Sequence, residues 1–438
     1  MRNKLIRGCC LLACVHSAMA YASCQDQLFK AGPVTGGLFG ATICSDGYSE
    51  ASYTGSSVEG LIDQLDKNEL KRRFDGFDEN TNNAFFQASF RGLPVYAAFP
   101  NEKGKGDETT LVFNVPALDI CEVWGKEDPG ICQNRHGNKL QTTPHKGDTR
   151  DANKEGLKDY LKKEGDQILA ELVKVSPVDP IAGNPASQQT QMITDEYEAG
   201  SGGQAASPMA GLGIGAQFGR FSQGGYDISV YNLPLSYKMP LGKDQELLFR
   251  FPLSYTDVSG AKSYKVTLGL SYIRYLTKAW SLTPSVSYGV AGSRELGSLA
   301  QSVSTSLTSN YVLPLKSKYE VSISNMLGYY KTLPFKIQDY DVDLGITNTI
   351  LRNGVSLSIP LGMKWSGSEL SLETFLVDTR FFGSELYTDQ FNEIGFSIGP
   401  RMARKGTTSF SGQLFGIGLT YLHSENDHAF NLNVGYRF

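Results

Sequence analysis

Between Ala210 and Phe438 apolar and polar residues alternate one by one in a series of separate runs. Val355, Leu357, Ile359, Leu361, Met363 and Trp365 alternate with Ser356, Ser358, Pro360, Gly362 and Lys364. A period of two gives a strand one apolar and one polar face. The same alternation carries Leu247, Phe249, Phe251, Leu253 and Tyr255, then Tyr264, Val266, Leu268, Leu270 and Tyr272, and finally Phe430, Leu432, Val434, Tyr436 and Phe438. These runs cover about nine to thirteen residues, the length a tilted strand needs to cross a bilayer, whereas soluble sandwiches use shorter strands. The fold class this predicts is an all-β transmembrane barrel over 210–438.

Chain ends on one side of the membrane require an even number of strands. Short polar turns are expected at 241–245, 277–279, 316–318, 366–368 and 403–407, as on the periplasmic side of such barrels. Outer connections then fall at 222–225, 259–261, 294–300, 381–390 and 424–428, with a long one from about 331 to 354. The count is about twelve antiparallel strands, with 341–351 read as a hairpin arm in the longest loop; were it a wall strand, about fourteen would be the next even choice.

The N-terminal half has other periods. Arg2, Lys4 and Arg7 precede a short apolar run and small residues near Ala20, which predicts an export signal over 1–22. Residues 23–150 read as a small α/β head domain. Ser56 or Ser57 is placed to cap a helix carrying Val58, Leu61, Ile62, Leu65 and Leu70, and Phe85, Phe86, Phe90, Val95, Tyr96 and Phe99 flank a hairpin at Arg91-Gly92-Leu93. Residues 151–209 form a helical linker. Its first helix, 151–175, carries an apolar stripe of Leu157, Leu161, Ile168 and Leu172 and ends at the prolines of Ser176-Pro177-Val178-Asp179-Pro180. A second helix over 185–199, with Asn184-Pro185 at its start and Gly200 as its stop, is polar nearly all round. At 1.5 Å per residue it is roughly 21 Å long, close to the height of a barrel's apolar band. A polar lumen suits it, and the inward row Gly211, Gly213, Gly215, Gln217 and Gly219 of the first strand leaves room.

Charge and cysteine usage refine the picture. The net charge of −4 offers no basic face for nucleic acid. Of seven cysteines, three fall in the signal; Cys24, Cys44, Cys121 and Cys132 remain, all in the head. In an oxidising envelope this predicts disulfides, with sequence proximity favouring Cys24–Cys44 and Cys121–Cys132. Their spacing does not fit paired zinc ligands, and Asp75, Asp78, Asn80 and Asn82 do not follow a calcium-loop pattern, so neither metal nor cofactor is expected. His136 and His145 read as solvated loop histidines. His423 and Ser424, adjacent on a strand, point to opposite faces and have no orienting third group, and Asp339, Asp341 and Asp343 read as a solvated loop run; no catalytic residue is assigned. If the second helix enters the lumen, its acids Asp195, Glu196 and Glu198 need inward bases, and alternation offers Lys238, Arg250, Lys265, Lys364, Arg401 and Arg437.

A cleaved signal, a folded N-terminal part, a polar helix and the linker Ser201-Gly202-Gly203 leading into a twelve-stranded barrel that ends in Tyr436-Arg437-Phe438 resembles the autotransporter translocator domain. It looks most like solitary outer-membrane autotransporter-type barrels, which lack a large β-helical passenger; the head here is small and cysteine-bearing instead. The resemblance implies a Gram-negative outer membrane, a monomer among lipid and lipopolysaccharide, and a non-catalytic role. The aromatic terminus, Tyr436 and Phe438, resembles the signal read by the barrel assembly machinery. Threading of the helix would carry the head to the cell surface; a helix lying beneath the barrel would leave the head periplasmic, with the barrel a plugged pore. A lipid-modifying enzyme is the third reading.

Overall fold

An apolar–polar alternation can close on itself only if the last strand pairs with the first, and it does. Strand β24 (Asp427–Tyr436) runs antiparallel to β8 (Gly211–Gln223), from Asp427 opposite Gln223 to Tyr436 opposite Ile214. This computed structural model describes residues 39–45, 51–53, 62–79, 82–100, 109–125, 129–201, 211–294, 296, 298–315, 318–337, 340–365, 367–403, 410–413, 415–425 and 427–436. The expected signal, Cys24, Ser56, Ser57, Arg437 and Phe438 lie outside them.

Among the described residues the barrel has twelve antiparallel walls. They are β8; β9 with β10 (Tyr226–Leu233, Leu235–Pro240); β11 with β12 (Gln245–Arg250, Leu253–Val258); β13 (Ala261–Tyr275); β14 (Trp280–Ser293); β15 (Ser298–Pro314); β16 (Glu320–Leu333); β19 (Thr347–Trp365); β20 (Ser368–Gly383); β21 (Gln390–Ala403); β22 with β23 (Phe410–Gln413, Phe415–His423); and β24. Two of the breaks are prolines. Pro234 and Pro252 lack a ladder donor, yet their carbonyls still accept from Gly215 N (3.0 Å) and Thr267 N (3.2 Å), so the register runs through.

Alternation sorts the side chains as expected. Leu212, Tyr264, Val286, Leu327, Ile394 and Phe430 are exposed on the outside. Ser271, Ser287, Ser302, Ser304 and Thr308 are buried on the inside. Aromatic rows lie near both ends of the apolar band: Tyr237, Trp280, Tyr311 and Trp365 toward the tight turns, and Tyr231, Tyr264, Tyr329 and Phe382 toward the long loops. An outward apolar band between aromatic girdles is the surface that lipid solvates, and the protein is an outer-membrane barrel.

The longest loop is shorter than the alternation predicts. It carries a small hairpin, β17 (Phe335–Ile337) with β18 (Tyr340–Val342), but the next wall begins at Thr347, so 347–351 is wall and not hairpin arm. The total nevertheless stays at twelve.

The head is a seven-stranded sheet in the order β2-β1-β3-β4-β5-β6-β7, built from Phe39–Cys44 (β1), Ala51–Tyr53 (β2), Ala84–Phe90 (β3), Leu93–Phe99 (β4), Leu111–Val115 (β5), Ile120–Trp124 (β6) and Thr143–His145 (β7). The β3–β4 turn has Arg91 at φ 48° and Gly92 at φ 80°, two positive values that match the twist of a tight hairpin. Of the expected N-terminal helix, 54–61 lie outside the described residues; Ile62 is helical, a 3-10 turn follows at Asp63–Leu65, and helix α1 (Lys67–Arg73) starts at Asp66, which caps it by accepting from Asn68 N. Helix α2 (Arg150–Lys174), capped by Thr149, lays Leu157, Ile168 and Leu172 into the head core with Phe86, Phe99 and Trp124. Cys121 and Cys132 form a disulfide with a Cα separation of 6.0 Å, and Cys44 is also disulfide-bonded.

Candidate functional site

The barrel is occupied by its own chain. Helix α3 (Gln188–Ser201) lies inside, against β13, β14, β15 and β16. Its start differs from the expected one. Asn184 makes a turn ahead of the helix, accepting from Ala186 N, and Ser187 takes the capping place before Gln188. Gly200 does not stop the helix but sits inside it, so close to the wall that a Cβ would fall 2.4 Å from Thr308 Cβ.

One face of α3 is bonded to the wall. Glu196 Oε1 accepts from Ser287 Oγ at 2.7 Å and Ser304 Oγ at 2.6 Å, and Gln188 Nε2 donates to the Val266 carbonyl at 3.3 Å. Met192, Ile193 and Ala199 fill the gaps among these bonds and are fully buried. The wall yields where the helix is thickest: a Cβ at Gly289 would meet Gln188 Nε2 at 2.3 Å, and one at Gly354 would meet the Tyr197 hydroxyl at 2.1 Å. The opposite face, Gln191, Thr194, Asp195 and Glu198, borders a cavity of about 370 Å³. Gly213, Gly215 and Gly219 line the far side of that cavity. The first strand's glycines therefore face open space and their own wall neighbours, not the helix, which leans on the other side.

The expected bases divide. Arg250 faces Asp195, Glu196 and Glu198 and donates to Ser287 Oγ at 3.2 Å. Lys265 is buried but donates to the Ala186 carbonyl at 2.5 Å, at the other end of the helix. Lys238 pairs with Glu246 at 3.5 Å, and Arg401 with Glu320 at 3.9 Å. Lys364 is exposed in the last residues of β19, after a register irregularity between Pro360 and Lys364, and is not a lumen base. The residue that sequence reasoning missed is Arg352. It bonds Glu393 at 2.6 Å and Thr379 at 2.7 Å, and its guanidinium lies 4.9 Å from the Tyr197 ring centre. Its inward parity was the available signal, obscured by assigning 352 to the long loop.

At the long-loop end, residues 175–190 are buried without interruption. Prolines and side-chain turns make this segment stiff: Ser176 Oγ accepts from Val178 N and Asp179 N, and Asp179 Oδ1 accepts from Ile181 N. Loop backbone grips it, Tyr387 N donating to the Lys174 carbonyl and Thr388 N to the Gly183 carbonyl. Val178, Ile181 and Ala182 pack on inward apolar residues of the mouth, among them Phe221, Ile350, Phe381 and Phe391. The head's β3–β4 turn closes over it. Arg91 donates to Asp179 Oδ2 at 2.5 Å and to the Leu296 carbonyl at 3.0 Å, while Ser298 Oγ donates to the same Asp179 oxygen.

Other candidates resolve locally. Ser424 is buried and donates to Asp427, whereas His423 is exposed beside Tyr421, so the two residues are on opposite sides. His145 is not a solvated loop histidine. It stacks on Trp124 at 4.5 Å and bonds Glu122 at 2.6 Å, and burial followed by Glu122 pushes the Tyr160 hydroxyl up to about 12. No cluster of three or more His, Cys, Asp or Glu side chains is arranged to hold a metal among the described residues.

No protein-family model matches the chain, and no curated relative matches it. Solved structures do. The β domain of the Bordetella autotransporter BrkA is 14% identical over 52% of this chain and 99% of its own, at a TM-score of 0.40. The translocator domain of autotransporter NalP from Neisseria meningitidis is 16% identical over 57% and 96%, at 0.38. LpxR from Salmonella typhimurium is 11% identical over 51% and 100%, at 0.33. With its closed twelve-stranded wall and outward apolar band, the chain is an outer-membrane β-barrel protein.

Proposed function

We propose that this barrel is a non-catalytic anchor that threads its own chain and displays its N-terminal domain on the cell surface. One observation carries the reading: α3 enters at the long-loop end, where 176–187 is gripped, and ends beside Thr308 toward the tight turns, where β8 begins. In outer-membrane barrels the tight turns are periplasmic and the long loops external. A chain that runs down the lumen and then up β8 leaves its head outside. Cysteine pairing in that head suits an oxidising exterior. The test is protease shaving of intact cells carrying an epitope at Gly137, in an exposed turn of the head, or at Gly242, in a tight turn. Loss of the first with retention of the second supports display; protection of the Gly137 epitope together with cleavage at Gly242 would falsify it.

A further inference from the structure

Lys265 carries a charge that no neighbouring side chain compensates. It is 2% exposed, and among the described residues its Nζ makes one hydrogen bond, to the Ala186 carbonyl, and no ion pair. The register shows why. Its cross-strand neighbours are Ser254 on β12 and Ala291 on β14, and the inward residues before and after it on β13 are Ser263 and Thr267. Lys265 also borders the cavity beside α3, together with Ala186, Ser187 and Thr190 from the start of that helix. None of these neighbours is ionisable. The acids of the same lining lie elsewhere. Asp195 and Glu198 are nine and twelve residues beyond Ala186, roughly 13 and 18 Å down the helix. Glu393 is engaged by Arg352 at 2.6 Å, and Glu320 and Glu373 share, through Ser358, a register row next to a tight turn. An ammonium has three N–H donors, so two remain after Ala186, and a buried charge without a partner is costly.

We propose that the long-loop end of this cavity binds a small monovalent anion, a halide or a monocarboxylate, on Lys265 Nζ and the Ser254 hydroxyl. Ser254 is free to turn toward it. Its Oγ donates to Asn232 Oδ1 at 3.2 Å, but that oxygen also receives Gln191 Nε2 at 3.0 Å and stays satisfied when the hydroxyl rotates away. One compact ammonium among neutral hydroxyls matches a single negative charge, whereas a phosphate or sulfate dianion calls for more donors or an arginine fork. The cavity, about 370 Å³, has room for such an ion, and its lining runs past the glycine row of β8 to Ser201 and Ala279 at the tight-turn end. A bound anion keeps the amine protonated, and a charged donor makes the stronger bond to the Ala186 carbonyl. The ion would thereby secure the lead-in to α3 against the wall.

Chloride NMR tests this on the full-length protein in neutral detergent and chloride-free sulfate buffer. Titrated chloride should show a saturable excess linewidth that acetate displaces. Lys265→Met should weaken that binding at least about tenfold, since it removes the charged partner. K243M, at an exposed position of a tight turn, should leave it unchanged. Heat-modifiable migration verifies that each variant retains a closed barrel. Independently of any variant, crystals of the wild-type chain grown in bromide should give an anomalous peak within hydrogen-bond distance of Lys265 Nζ. Absence of a saturable component, as when Lys265 loses its proton instead of gaining an anion, would overturn the proposal. So would bromide found at surface sites alone, or saturable binding undiminished in the folded K265M chain.

Discussion

The contact between Arg91 and Asp179 is the point at which the head is fastened to the barrel, and breaking it should undock the two without melting either. Both side chains are buried, with relative exposures of 8% and 0%. Asp179 Oδ2 receives Arg91 and Ser298, and Oδ1 receives the Ile181 amide. Removing one partner of a buried pair costs about 3–5 kcal/mol, since the other charge is left uncompensated. At 1.4 kcal/mol per tenfold that is roughly two to three and a half powers of ten in the docking equilibrium. Arg91 sits at φ 48°, where alanine would add backbone strain of its own, so asparagine is the better replacement. Hydrogen exchange on the intact protein reads the effect. In R91N and in D179N the amides of 176–189, including Ile181 and Gln188, should lose protection while β14, β15 and the head core keep theirs. The double variant should lose less than the sum of the two, as contacting residues do. Unchanged exchange in 176–189 for D179N, or equal loss of protection throughout the head, would refute the latch.

Two further outcomes follow from the same geometry. Gly200→Val pushes a branched side chain into Thr308, where even a Cβ would lie 2.4 Å away; single-channel conductance should rise several-fold, toward that of a chain lacking 184–203, and equal conductance in wild type and deletion would show that α3 does not obstruct the pore. In the head, burial opposes ionisation of Asp66, but the Lys154 hydrogen bond and the Asn68 amide outweigh it and hold the carboxyl below its ordinary 3.8. A lowered folded value means stability present above pH 3.8 and lost as pH falls through it. Pulse proteolysis of the full chain should therefore show the head's urea midpoint falling between pH 5 and pH 3, with D66N, which keeps the cap, flattening that slope.

The walls were legible because lipid and a wet lumen impose opposite demands on successive residues, so twelve strands and their parity could be read from alternation alone. Legibility failed at the mouth for a physical reason. There the outward row turns polar, Thr349 and Asn353 sharing the exposed face with Leu351, while the inward row mixes Asn348 and Arg352 with Ile350, which is buried against the segment carrying Ile181. With polar residues on both faces and two adjacent apolar ones the period of two disappears, and 347–354 passes for loop. Arg352 and its partner Glu393 were lost with it. The head's hold on the barrel was invisible for another reason, since Arg91, Asp179 and Leu296 are far apart in sequence and no local pattern links them.

Helix α3 marks the boundary between the two kinds of information. That it is polar nearly all round is a property of its sequence, and a polar lumen is the environment that property demands. Which polar side is satisfied is not. Glu196 and Asp195 are neighbours of similar chemistry, yet the first accepts two serine hydroxyls and the second turns to the cavity. The difference comes from the wall: Ser287 and Ser304 are cross-strand partners on β14 and β15, which together with Gly289 form a small-residue bed that seats one helical face. The glycine row of β8, on the far side, offers no side chain to seat the other. A helix seated closely along one side, and held on the other by bonds such as Gln191 Nε2 to Asn232 Oδ1 across a cavity, keeps the chain in the lumen while leaving room beside it, and this asymmetry makes the cavity, rather than the helix alone, the part of the barrel available for chemistry.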